Sequence, residues 1–164
     1  MVGPDRIRTA RTGDAEDAGA IHQHINAIAR GQDEEGLNIF KQAYEYAPAY
    51  RDAGIYYASA AIRANRMDVA DQVLQPLMAT AGAADQRIAS AYAAKGRFDK
   101  IIAIWSAHIE KVPNDTEARF LLAGAYYNSG DKAGAIRTLE QIKQVAPESA
   151  AQADALIKQV QATK

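Results

Sequence analysis

Apolar side chains recur every three or four residues along most of this chain, in short runs separated by Gly, Asp or Pro. That spacing puts them on one face of a helix, so the pattern predicts a succession of short amphipathic α-helices. The first covers Ala15–Arg30, with Ile21, Ile25 and Ile28 in register, and stops at Gly31. Glu34–Tyr46 follows, with Leu37, Phe40, Ala43 and Tyr44 on its apolar face, Asp33 placed to cap it and Pro48 closing the unit. The series continues with Ala49–Ala64, Met67–Ala79, Ala84–Lys95, Phe98–Lys111, Thr116–Ser129, Lys132–Val145 and Ala150–Ala162. Pro76 removes one backbone hydrogen bond inside its helix and predicts a kink or early fraying there. Gly82 starts a turn, and Asp115 and Asp131 stand where they can cap the helices that follow them. Ser149 with Gln152 three positions on reads as a capping box for the last helix. Connections of a few residues force neighbouring helices to lie antiparallel. The expected architecture is all-α, a right-handed stack of helical hairpins.

The hairpins repeat. Tyr92, Gly96 and Pro113 recur at Tyr126, Gly130 and Pro147, each 34 residues on. A fixed period of that size marks a helical repeat array. Four units fit, at 17–50, 51–81, 82–115 and 116–149, followed by a C-terminal capping helix at 150–162. Residues 1–14 lack periodicity and read as a disordered leader or linker, since Gly3 and Pro4 break helix. Arg6, Arg8 and Arg11 are close together there, but Asp5 and Asp14 dilute them as a basic arm.

The last unit presents Ala123, Tyr126, Gly130, Ala135, Leu139, Ile142 and Pro147; the third presents Ala89, Tyr92, Gly96, Ile101, Trp105, His108 and Pro113. The second presents Ala58, Ala61, Asn65, Ala70, Leu74 and Leu77, and runs about three residues short; the first presents His24, Ala27, Gly31, Gly36, Phe40, Ala43 and Pro48. This constellation resembles the tetratricopeptide repeat. Small residues at Ala58 with Ala70, and at Ala123 with Ala135, let paired helices approach closely. Trp105 is expected to be buried between successive hairpins. Gly96 and Gly130 are expected to take the left-handed backbone conformation after the first helix of a unit. Ile101 and His108 stand where small residues are usual, so the third hairpin is expected to be slightly splayed. Gln23 is polar at an expected core position.

The resemblance implies a non-catalytic protein–protein interaction scaffold that holds a peptide or helix of a partner on a concave face. That face is lined by the first helix of each unit. Carried onto this chain, the lining is Ile21, His22, Ile25, Ile28, Asp52, Ile55, Tyr56, Ser59, Ile62 and Arg63. It continues with Gln86, Arg87, Ser90, Ala94, Glu117, Phe120, Leu121, Gly124, Tyr127 and Asn128. Exposed apolar patches tend to mark interaction sites, and binding energy concentrates in aromatic and Arg anchors. Tyr56, Arg63, Arg87, Phe120, Tyr127 and Asn128 are therefore the expected partner-binding residues. In each of the pairs Tyr56–Tyr57 and Tyr126–Tyr127, one ring should enter the core and the other face the groove. The residues that clamp chaperone C-termini in some members of the family are replaced here, apart from Arg87, so no such clamp is expected. Two other readings fit the same pattern. One is a self-assembling array. The other is the soluble repeat domain of a larger bacterial protein, such as a membrane-associated, glycan-polymerising one.

Composition narrows the chemistry. A net charge of −1 gives no reason to expect nucleic acid as a partner. Abundant alanine favours helix. The absence of Cys excludes disulfides and thiolate chemistry. No apolar run approaches bilayer length and no signal peptide is evident, so a soluble, cytoplasmic protein is expected, with tethering to a membrane protein as the alternative. His22 and His24 look like a ligand pair, but residues two apart on a helix point in nearly opposite directions. No metal, no cofactor and no catalytic residue is expected. Asp33, Glu34 and Glu35 complement a helix dipole rather than forming a carboxylate pair. Lys95, Arg97 and Lys100 read as a solvated turn.

Overall fold

The computed structural model describes residues 33–163. Eight α-helices follow one another with short turns, and no strand occurs among the described residues. They are α1 (Asp33–Tyr46), α2 (Arg51–Arg63), α3 (Met67–Ala79), α4 (Gln86–Ala94), α5 (Phe98–Lys111), α6 (Thr116–Asn128), α7 (Lys132–Val145) and α8 (Ala150–Ala162). The protein is an all-α helical repeat. The helix expected at Ala15–Arg30, the leader, and Ile21, His22, Gln23, His24, Ile25 and Ile28 lie outside the described residues.

Four helices have the predicted ends; the others differ by one or two residues for local reasons. Asp33 is the first residue of α1 rather than the one before it. Pro48 and Ala49 form a turn, closed by the Tyr50 N–H donating to the Ala47 carbonyl, and Tyr50 is extended, so that helix starts at Arg51 and not Ala49. The predicted Ala84–Lys95 helix begins at Gln86, because the Asp85 side chain accepts from the Arg87 N–H and sets the start there. Asp115 and Asp131 cap as expected, accepting from the N–H groups of Ala118 and Gly134. The capping box at Ser149 is not formed. A 3-10 turn over Pro147–Ser149 leads straight into α8, and the Ser149 hydroxyl makes no cap bond. Early fraying at Pro76 is also absent, since α3 continues to Ala79.

The punctuation repeats in space as it does in sequence. Asn65, Gly96 and Gly130 all have positive φ, at 60°, 68° and 90°. Each is the left-handed residue after a helix. The next N–H, of Arg66, Arg97 or Asp131, bonds back to the carbonyl of Ala61, Tyr92 or Tyr126 at 2.7–2.9 Å. This double closure satisfies carbonyls that a helix end leaves unpaired. A fourth copy ends α3, with Gly82 bonded to the Leu77 carbonyl, but there the left-handed residue is Ala81 (φ 63°). The glycine stands one position too late. A left-handed alanine is strained by contact between its Cβ and the carbonyl that follows. Ala81→Gly is therefore expected to stabilise the protein by about 0.5–1 kcal/mol, after allowing for glycine's greater freedom in the unfolded chain. A higher midpoint in urea denaturation checks this.

Burial organises the helices into two cores that share α6. The larger runs from Leu37 and Phe40 of α1 through Ile55, Ile62, Leu74, Ile88, Tyr92 and Trp105 to Ala118, Leu122 and Ala125 of α6. The smaller joins Ala123 of α6 to Leu139 and Ile142 of α7 and to Ala153, Ile157 and Val160 of α8. Trp105 is buried, as its place between hairpins predicts. Ala58, Ala70 and Ala135 are fully buried where helices cross. His108 bridges elements as a packed side chain. Its Nε2 lies 2.8 Å from Asp115 Oδ2 and its Nδ1 3.4 Å from the Ala81 carbonyl, with the ring edge-on to Trp105.

Candidate functional site

The expected concave lining is not one continuous groove. Ile55, Ser59 and Ile62, assigned to it from the sequence, are buried. The reason is that α2 packs against α1, α3 and α4 together, so little of its surface remains open. Tyr57 enters the core and Tyr56 is half-buried, as expected for that pair. Tyr56 is nonetheless engaged by two neighbours within the chain. Phe40 stacks on it at 5.2 Å, and the Arg87 guanidinium lies over its ring at 4.6 Å.

Arg87 is likewise engaged within the chain. Its guanidinium donates to Asp85 at 2.8 and 2.9 Å and to Asp52 at 2.9 Å. Arg51 reaches the same Asp85 at 3.2 Å and donates to the Gly82 carbonyl at 2.9 Å. The Arg87 hydrogen bonds hold the Asp85 carboxyl below its ordinary range, against the effect of burial, and raise the guanidinium further. This cluster fastens the start of α2 to the start of α4. Arg63, in the last turn of α2, is exposed, and so is Asn128 at the end of α6.

The two remaining expected residues, Phe120 and Tyr127, meet in a cleft of about 540 Å³. Its walls are α6 and α8, and Leu139 of α7 forms part of its floor. Three consecutive helices joined by short turns leave the first and third parallel. At one end of the cleft, Tyr127 Oη lies 3.2 Å from Thr163 Oγ1, and the Lys132 ammonium donates to the Thr163 carbonyl. The lining is mostly apolar: Phe120, Ala123, Tyr127, Leu139, Leu156 and Val160. Polar groups stand at Thr116, Glu117, Gln152 and Gln159. Glu117, at the N-terminal end of α6, is exposed and has no ion pair among the described residues. A cleft of this size, apolar with a few polar groups, is what ligand sites generally require.

The α8 wall was missed by reading the sequence, which treated that helix as a cap. A signal was present. Ala153, Leu156, Ile157 and Val160 give α8 apolar residues at i, i+3, i+4 and i+7. Ala153, Ile157 and Val160 are buried in the smaller core, while Leu156 turns toward the cleft beside the buried Val160. Gln152, expected in a capping box, lines the cleft instead.

A second hollow of about 440 Å³ lies between α3 and α5, with Tyr92 at its base. Lys100 and Asp71 pair across it at 2.8 Å. Burial, aided by Asp71, pushes the Tyr92 phenol up to about 12. Its charged groups, Asp71 and Lys100, already pair with each other, which makes it the weaker candidate. Among the described residues no cluster of His, Cys, Asp and Glu could hold a metal, and no helix is long and apolar enough to cross a membrane.

No curated protein matches this chain. Two similar solved structures are a mutant of MamA and a double mutant of MamA RS-1. The first is 18% identical, covers 82% of this chain and 80% of that one, and has a TM-score of 0.45. The second is 17% identical, covers 85% and 91%, and has a TM-score of 0.46. A family model described as tetratricopeptide repeat matches residues 92–160, the stretch from Tyr92 to Val160 that contains the cleft. Over residues 92–160 this chain is similar to the tetratricopeptide repeat.

Proposed function

We propose that this protein is a protein–protein interaction scaffold and that the α6–α8 cleft is where it takes an apolar segment of its partner. Tetratricopeptide repeats are interaction modules in general, which supplies the class. The observation that carries the site is the cleft itself. It exposes aromatic and aliphatic groups from two helices, Phe120 and Tyr127 of α6 and Leu156 of α8, with no side chain of the described chain filling it. Tyr56 and Arg87 then serve mainly to hold α1, α2 and α4 together. We extend the repeat frame upstream of the matched stretch, over 51–81 and 82–115, because Asn65 closes its helix in the same way as Gly96 and Gly130 do.

The test is affinity capture from lysate of the source cell, comparing the native protein with Phe120→Glu and with Lys41→Glu. Lys41 is exposed on α1, far along the chain from the cleft. A buried carboxylate in an apolar interface loses its hydration without compensation. The expected result is at least a tenfold reduction, roughly, in partner recovered by Phe120→Glu and none by Lys41→Glu. Equal recovery by all three proteins overturns the site.

A self-assembling array is the second reading, and the same cleft would then receive another copy. Light scattering over a concentration series separates the two, because a molar mass independent of dilution disfavours assembly.

A further inference from the structure

Gly124 stands in the middle of α6, and a Cβ built on it would meet nothing within 4 Å. Glycine inside a helix is unfavourable relative to alanine, because it has more backbone freedom to lose. Elsewhere such a glycine is explained by close packing. Gly54, for example, would bring a Cβ within 3.4–3.7 Å of Leu77, Tyr44 and Val73. Nothing described in this chain uses the space that Gly124 leaves, and that space opens into the cleft.

The cleft also discriminates between backbone conformations. Both its walls are helices, whose backbone groups are bonded internally, and its exposed lining is mostly apolar side chains. An extended peptide would bury its own N–H and C=O groups there with few partners. A helix satisfies them internally and offers an apolar stripe. Because α6 and α8 are parallel, a third helix running antiparallel to both has the favourable dipole arrangement. Its last turn then lies beside Glu117, the exposed carboxylate at the N-terminal end of α6.

We propose that the occupant of this cleft is an amphipathic helix of a partner protein. It runs antiparallel to α6 and α8, approaches the α6 backbone closely at Gly124, and places a basic residue of its last turn against Glu117. This rests on the reading of the cleft as the partner site and adds the partner's conformation, direction and charge.

The test uses the full chain and two synthetic helical peptides of the length of α6, 13 residues. Both carry Leu and Ala at i, i+3, i+4 and i+7. One has Lys in its last turn and the other has Lys in its first turn. Binding is followed by titration calorimetry and by amide shifts in nuclear magnetic resonance. The peptide with the C-terminal Lys is expected to bind at least about tenfold more tightly, with shifts at Gly124 and Leu156. Gly124→Leu is expected to lose at least about tenfold in affinity for it. Gly124→Ala keeps the test interpretable. It is expected to raise the melting temperature by about 2–4 °C, since helix propensity improves and nothing clashes. Glu117→Lys should reverse the charge preference, favouring a peptide with Glu in its last turn.

Equal binding of the two peptides, no binding of either, or full affinity in Gly124→Leu overturns the proposal. The underlying reading fails separately, when Phe120→Glu leaves lysate capture intact. Capture that depends on Phe120 but is indifferent to Gly124→Leu sinks the helix and spares the site.

Discussion

Trp105→Ala is expected to lower stability by about 3–5 kcal/mol. Trp105 is 6% exposed and belongs to the larger core, in company with residues from α2, α3, α4 and α6. Removing an indole from such a place forfeits its transfer free energy and leaves a cavity that rigid helices close only in part. The edge contact with His108 would also go, and with it some restraint on the ring that links Asp115 to the Ala81 carbonyl. Urea denaturation followed by circular dichroism checks this, with a lower midpoint at an unchanged slope. Tyr46→Ala is the control. Tyr46 is 91% exposed, so a change within about 0.5 kcal/mol is expected. A similar loss from both substitutions would mean that Trp105 is not a core residue.

Gly134→Ala is expected to cost about 1–3 kcal/mol, even though alanine is the better helix former. Its Cβ would overlap the Asp131 carboxylate and lie 2.8 Å from Tyr126 Cδ1. The carboxylate cannot move away freely, since it accepts from the Gly134 N–H at 2.7 Å and caps α7. Either the cap breaks or Tyr126 shifts, and Tyr126 is packed against the larger core. Losing a cap costs about 0.5–2 kcal/mol and overpacking about 1–3 kcal/mol, against about 1 kcal/mol recovered in propensity. A thermal melt of Gly134→Ala beside Gly124→Ala makes the comparison sharp. The same change ten residues apart should move the midpoint in opposite directions.

That contrast shows what could be read from the sequence and what could not. Helix positions follow from apolar periodicity and from local stop signals, which is why Met67–Ala79, Phe98–Lys111, Lys132–Val145 and Ala150–Ala162 have their predicted ends. Local chemistry also marks Asp115 and Asp131 as caps and Gly96 and Gly130 as left-handed positions. The site was legible only in part. Phe120 and Tyr127, which line the cleft, were picked because a repeat register places them on the inner face of a first helix. The same register misplaced Ile55 and Ile62, since register says which way a side chain points and not what stands in front of it. Three neighbouring helices cover α2, whereas α6 faces α8 across open space. Tyr56 and Arg87 have the composition of binding anchors, but their partners, Phe40, Asp52 and Asp85, are supplied by the fold. The α8 wall was missed because that helix was read only as a cap.

The division of the interior at α6 has a kinetic consequence. Leu139, Ile142, Ala153, Ile157 and Val160 depend on one another and touch the remainder through a single shared rod. Deuterium uptake should therefore show two classes of slow amide. Those of α8 and the second half of α7 would exchange through a partial opening while α2 to α5 stay protected. A guest lodged between Phe120 and Leu156 would slow the first class and leave the second untouched, so its arrival can be timed without labelling it.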